Sequence, residues 1–187
     1  AIIPSREMKR ESKKGLGEGL FAGWRYTLPG GREPNPDFIL NQSPFRSATI
    51  LLAGQNFGCG SSREHAVWAL QEYGIRVIIA SSFGTIFHGN CVRNGILTIT
   101  LEPAEVETIA NYAELDPAER TVCVDLPAQR VTSTADSTFA FSFPISAGDK
   151  AMLLEGLDGI ALTMKEAPAI DAFEEGDRER RPWVYLE

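Results

Sequence analysis

The chain has 187 residues, 43% hydrophobic and 23% charged, the make-up of an ordinary globular protein within the usual ~100–200 residues of one domain. A formal net charge of −7 excludes the broad basic face that a nucleic-acid partner needs. No window approaches the ~18 consecutive apolar residues of a membrane helix, and Ala1-Ile2-Ile3-Pro4 turns basic and polar at once rather than reading as a signal peptide, so the expected location is the cytosol.

Residues 1–47 are irregular and rich in Gly, Pro and charge, too long for an ordinary connection; they are either a functional loop or disorder. The apolar islands Leu20-Phe21-Ala22-Gly23-Trp24 and Phe38-Ile39-Leu40 are expected to pack down. Up to Gly31 the chain carries Arg6, Lys9, Arg10, Lys13, Lys14 and Arg25 against Glu7, Glu11 and Glu18. A local basic segment in an acidic chain handles small anions, docks an acidic surface, or is simply a solvated arm.

From residue 48 the pattern sharpens. Residues 49–53 are a short apolar run stopped by Gly54, as in a buried strand. Residues 61–73 read as a helix ended by Gly74, with Ala66, Ala69, Leu70 and Tyr73 at helical spacing. A second strand is expected at 77–80, a short helix at 84–90, a third strand at 96–101, and a helix at 104–112 opened by Pro103. Strand–helix–strand succession with apolar strands implies parallel pairing. After Pro117, the runs 121–126, 130–134 and 138–143 fit an antiparallel meander. Helices are expected at 151–154, 160–164 and 167–174, then a charged, frayed tail at 174–181 with Trp183 and Tyr185 docking back. The reading is one mixed α/β domain over 1–187, an N-terminal segment (1–47) on a core (48–187).

Cys59, Cys91 and Cys123 show no pair at the CxxC or CxxxxC spacing of a zinc or cluster site. An odd count in a cytosolic chain argues against a disulfide framework, and with only His65 and His88 besides, no metal site is expected in this chain.

The informative stretch is Gly54-Gln55-Asn56-Phe57-Gly58-Cys59-Gly60-Ser61-Ser62-Arg63-Glu64-His65, which joins the end of a buried strand to a helix start. In open α/β sheets ligands sit outside the carboxyl ends of the strands, and a helix N-terminus there suits an anion. Ser61 and Glu64 also have the S-x-x-E spacing of a capping box, which needs no catalytic role. Paired serines, two preceding glycines, and a cation at the unfavourable end of the helix dipole weigh against capping alone. A P-loop, a nucleophile elbow and a completed G-x-G-x-x-G are all missing.

Asn56-Phe57-Gly58-Cys59-Gly60-Ser61-Ser62-Arg63-Glu64-His65-Ala66 closely resembles the signature of the small, swivelling-domain subunits of the aconitase superfamily, in particular those of bacterial 3-isopropylmalate dehydratases. Ala1-Ile2-Ile3-Pro4, Leu20 to Arg25, Asn35-Pro36-Asp37-Phe38, Ser82-Phe83-x-x-Ile86-Phe87-x-x-Asn90 and Gly156-Leu157-Asp158-x-Ile160 extend the resemblance over nearly the whole chain. It implies a swivelling β/β/α fold with a mixed central sheet plus short antiparallel strands. It also implies a reversible dehydration and hydration of a hydroxy-dicarboxylate at a [4Fe–4S] cluster held by a separate large subunit. By the same resemblance Ser61 matches the base, Ser62 a neighbour that holds substrate or stabilises the ionised base, and Arg63 the partner of a substrate carboxylate. A serine base needs N–H donors and a cation around its alkoxide, and a guanidinium offers a planar fork to a carboxylate. Residues 7–19 correspond to a substrate-specificity loop, mobile in the isolated chain, in which Leu16 would meet an isopropyl group and Lys13 or Lys14 a carboxylate. Cys59 reads as a small turn residue, His65 as packing within its helix, and His88 as local structure. Related hydro-lyases for citraconate and methylmalate or for homoaconitate, and a non-catalytic binding module of the same fold, are the alternatives.

Overall fold

The apolar runs stopped by glycine assemble side by side. In the computed structural model, which describes residues 1–9, 14–60 and 63–185, strands β1 (Ile50–Ala53), β2 (Val77–Ala80) and β3 (Leu97–Thr100) form a parallel sheet in the order β1-β2-β3. The register places Ile78 between Leu51 and Thr98, and Ile79 between Leu52 and Ile99. Successive strand residues face opposite sides, so the sheet divides two apolar clusters. Leu51, Ala53 and Ile78 join one cluster; Ile50, Leu52, Val77, Ile79, Leu97 and Ile99 join the other.

The first cluster is closed by the helices that link the strands, α2 (His65–Tyr73) and α3 (Thr85–Arg93), and by the N-terminal segment. Gly74 ends α2 at φ 117, where its N–H caps the carbonyls of Leu70 and Gln71, a conformation that suits glycine. The second cluster is closed by α4 (Pro103–Leu115), started by Pro103 and a Glu102–Glu105 capping box, and by an antiparallel sheet. That sheet runs β4 (Val122–Asp125), β5 (Arg130–Ser133) and β6 (Ala140–Ser142), with Val131 opposite Val124 and Phe141. The expected parallel and antiparallel pairings are thus divided between two sheets. Helices α5 (Ala147–Glu155), α6 (Gly159–Met164) and α7 (Ala167–Arg180) complete the chain.

The N-terminal segment packs as its apolar islands imply, though unevenly. Leu20, Phe21, Ala22 and Leu40 are buried, whereas Trp24 and Ile39 stay exposed. Phe21 N–H donates to Ile2 O (2.7 Å), which ties the short helix α1 (Ala22–Arg25) to the first residues of the chain.

Two boundaries differ from the sequence reading. The helix expected from residue 61 begins at His65, capped at Glu64 with no side-chain cap. The expected Ser61–Glu64 capping box falls partly on Ser61, which lies outside the described residues; the Glu64 carboxylate accepts from the Asn94 amide. The tail expected to fray at 174–181 is helical to Arg180. Asp177, 4% exposed, accepts from Arg181 Nε (2.8 Å), Arg181 Nη2 (2.7 Å) and the Tyr185 hydroxyl (3.0 Å). Tyr185 docks back as expected and Trp183, 72% exposed, does not.

Candidate functional site

The loop that leaves β1 is held by main chain. Phe57 N–H donates to Ser82 O (3.0 Å) and Gly84 N–H donates to Phe57 O (2.9 Å), a one-residue extension of parallel pairing beyond β1 and β2. Asn56 N–H adds a bond to Ser82 Oγ (2.7 Å). Gly58 sits at φ +76, where a Cβ would lie 2.1 Å from Phe87 Cγ. A Cβ on Gly84 would come within 2.9 Å of Gly58 O and 3.0 Å of Cys59 Cα. Phe57 and Phe87 meet edge to face at 5.5 Å. Only glycine fits these approaches. The motif is therefore pinned at the carboxyl ends of β1 and β2, the place where parallel sheets bind ligands.

Past the turn, Arg63 is exposed and Glu64 begins the approach to α2. Ser61 and Ser62, the expected base and its neighbour, lie outside the described residues, as does Lys13. The head of α2 is tied to the end of α3 through one side chain. Asn94 Nδ2 donates to Glu64 Oε1 (3.1 Å) and to Asn90 O (2.8 Å), and Asn94 Oδ1 accepts from Trp68 Nε1 (3.0 Å). The His65 ring packs on Trp68 at 5.1 Å, matching the packing role expected of it.

The described part of the N-terminal loop, residues 14–19, is held at the opposite end of α2. Both oxygens of Glu72 accept from loop N–H groups, Gly15 at 2.6 Å and Gly17 at 2.7 Å. Arg25 Nη1 donates to Gly17 O (2.9 Å) while its guanidinium lies 4.8 Å from the Tyr73 ring centre. The Tyr73 hydroxyl, whose pKa burial raises against the opposing charge of Arg25, donates to Leu40 O (2.9 Å). Leu16 corrects the sequence reading. It is 1% exposed and packs in the first cluster, so it anchors the loop and presents nothing to an isopropyl group. Lys14 is exposed. Most of the length of α2 thus separates Arg63 from the loop's attachment at Glu72.

Among the described residues no three His, Cys, Asp or Glu side chains converge to hold a metal, so these residues offer no seat for an iron–sulfur cluster. Cys91 is buried, which pushes its thiol up to about 12, while Cys59 and Cys123 are exposed. His88 Nδ1 lies 2.6 Å from Thr98 Oγ1, a local contact between α3 and β3. An apolar cavity of about 610 Å³ runs between β1, α4 and the start of β4 and touches none of the described residues of the motif. Among the described residues no helix is long and apolar enough to cross a membrane. Sequence reasoning missed Glu72 and Asn94, and named Phe87 only within a motif, without its contact to the loop. Each acts across 26 to 57 positions of sequence, as the Trp68–Asn94 and Gly15–Glu72 pairs show, and leaves no local pattern.

Known proteins match this arrangement over the whole chain. The family of aconitase C-terminal domains matches residues 1–104, and the family of C-terminal domains from 3-isopropylmalate dehydratase small subunits matches residues 160–185. The chain is 57% identical over 187 residues to the 3-isopropylmalate dehydratase small subunit of Cupriavidus necator, covering all of this chain and 89% of that one. It is 48% identical over 183 residues to the same subunit of Roseobacter denitrificans, covering 98% and 89%. A crystal structure of 3-isopropylmalate dehydratase from Methanocaldococcus jannaschii shares the fold at TM-score 0.60 and 24% identity, covering 93% of this chain and 89% of that one.

Proposed function

Since the chain belongs to the 3-isopropylmalate dehydratase small subunits of the aconitase superfamily, we propose that it is the small subunit of a hydro-lyase that isomerises 2-isopropylmalate to 3-isopropylmalate through isopropylmaleate in leucine biosynthesis. It works in the cytoplasm as one domain over 1–187, together with a cluster-bearing large subunit. The observation that carries this reading is the motif loop pinned at the carboxyl ends of β1 and β2, with Arg63 exposed at the head of α2.

When bound by the large subunit, the [4Fe–4S] cluster supplies the Lewis acid that holds the substrate hydroxyl. Ser61 takes the proton from carbon as its alkoxide, and Ser62 stabilises that alkoxide or holds substrate. Arg63 holds a substrate carboxylate in a two-point grip, which orients the carbon acid toward Ser61 and adds a positive charge beside it. Lys13 and Lys14 face the substrate's variable group from the loop that Leu16 anchors.

The test is anaerobic turnover of 2-isopropylmalate with this chain alone, the large subunit alone, and the two mixed. Turnover is expected only in the mixture, and Ser61→Ala should abolish it while assembly with the large subunit and thermal midpoint stay near wild type. Undiminished turnover in Ser61→Ala would remove the serine from the mechanism. An inactive mixture that still forms a complex with an intact cluster would move the substrate to a citramalate-type acid.

A further inference from the structure

We propose that Asn94 is a positioning residue for Arg63. This inference rests on the reading of Arg63 as the carboxylate grip. Each neighbour of Asn94 is restricted in what it can do. An indole N–H only donates and a backbone carbonyl only accepts. Trp68 Nε1 at 3.0 Å therefore fixes the oxygen end of the Asn94 amide, and Asn90 O at 2.8 Å fixes the nitrogen end. The amide has one permitted orientation, and its second N–H is left pointing at Glu64 Oε1, 3.1 Å away. Gln71 Nε2 donates to the Asn94 carbonyl (2.7 Å), so the main chain at Asn94 is held as well as the side chain.

The consequence is mechanical. Glu64 follows Arg63 directly, and its carboxylate is fastened to the last turn of α3. The first turn of α3, through Phe87, packs on Phe57 and occupies the space beside Gly58. One helix thus holds the chain on both sides of the catalytic turn, residues 56–59 at its start and Glu64 at its end. Arg63 therefore adjoins a residue whose side chain is fixed to the end of α3. Misplacing a catalytic group by about 1 Å can cost about 100-fold in rate, so the fastening at Glu64 bears on turnover although Asn94 touches no substrate.

The test is the donor–acceptor swap. Asn94→Asp keeps the shape and the bond from Trp68, removes both donations, and sets a carboxylate beside Glu64. With the large subunit and 2-isopropylmalate, kcat/KM should fall about 10-fold or more, with a raised KM reporting the displaced carboxylate grip. Adding Glu64→Gln restores a donor across the same gap, so the double variant should recover part of the loss. A variant with normal kcat and KM and only a lowered thermal midpoint overturns the proposal, as does a double variant no better than Asn94→Asp. Amide exchange across residues 60–66 of the full chain serves as the second readout. Faster exchange in Asn94→Asp supports the fastening and unchanged exchange overturns it. That readout holds even if wild type proves inactive on 2-isopropylmalate, an outcome that would count against the proposed function instead.

Discussion

Two glycine-rich segments lie on the same side of the parallel sheet and are held by different means. The motif loop, 54–60, is held by main chain and by volume, with a two-bond bridge to residues 82–84 and the Phe87 ring where a Cβ of Gly58 would have to go. The loop at 14–20 is seated on buried Leu16 and Leu20 and clamped by side-chain charge, with one carboxylate accepting from two N–H groups and one guanidinium donating to a carbonyl. Main-chain pairing and steric fit survive most side-chain exchanges but fail abruptly when volume is added. A charged clamp fails gradually, one substitution at a time, because water replaces part of what is lost. The difference sets a rigid turn at one end of α2 against a more adjustable loop at the other.

The largest effect should therefore come from Gly58→Ala. It forces a non-glycine residue to φ +76 with its Cβ 2.1 Å from Phe87 Cγ. Backbone strain of about 1–3 kcal/mol and overpacking of a similar size add to a loss of about 3 kcal/mol or more, read from the denaturant midpoint of the full chain. Phe87→Ala should be destabilising alone yet should relieve Gly58→Ala, giving a double-mutant cycle with favourable coupling. A loss under about 1 kcal/mol for Gly58→Ala would mean the loop is free to shift, which would erase the contrast.

What was legible in the sequence follows the same division. β2 falls at 77–80 as expected, because Val77-Ile78-Ile79-Ala80 is short, apolar on both faces and flanked by breakers. The motif was legible because its glycines, serines and arginine are contiguous. The start of α2 was misread because S-x-x-E is a strong local signal, and nothing near Glu64 reveals that Asn94, 30 positions on, takes its carboxylate. Leu16 was misread for a related reason. In a stretch of Lys, Gly and Glu a lone leucine looks displayed, and only the packed core shows it to be an anchor. Whatever is fixed by one long-range polar or apolar contact is invisible to periodicity.

Glu72→Ala is the middle case. It removes the carboxylate that accepts from the N–H groups of Gly15 and Gly17, of which Gly15 is half-buried and Gly17 buried. Water recovers the first more fully than the second, so the expected loss is about 1–2 kcal/mol, well below that of Gly58→Ala. Amide exchange at Gly15 and Gly17 should rise while exchange at Phe57 and Gly84 stays slow. Equal acceleration at both loops would show that they are one unit rather than two.

The smallest effect should appear where a carboxylate holds a chain end, and it gives the charge-held class a pH signature. Hydrogen bonds from Arg181, helped by Tyr185 and opposed by burial, hold the Asp177 carboxyl below its ordinary 3.8. A depressed carboxyl contributes stability that is present above its unfolded pKa and is lost as pH falls through its folded one. Docking of residues 181–185 should thus be unchanged between pH 7 and pH 5 and weaken only below about 4. The protection of those amides, relative to intrinsic exchange at each pH, should fall there before that of Phe57 and Gly84, whose main-chain bonds do not titrate. Asp177→Asn keeps one acceptor oxygen but no charge, so the tail should be less protected at pH 7 and lose no further protection on acidification. If wild type and Asp177→Asn show the same pH dependence, Asp177 is not the group that ties the end of the chain to α7.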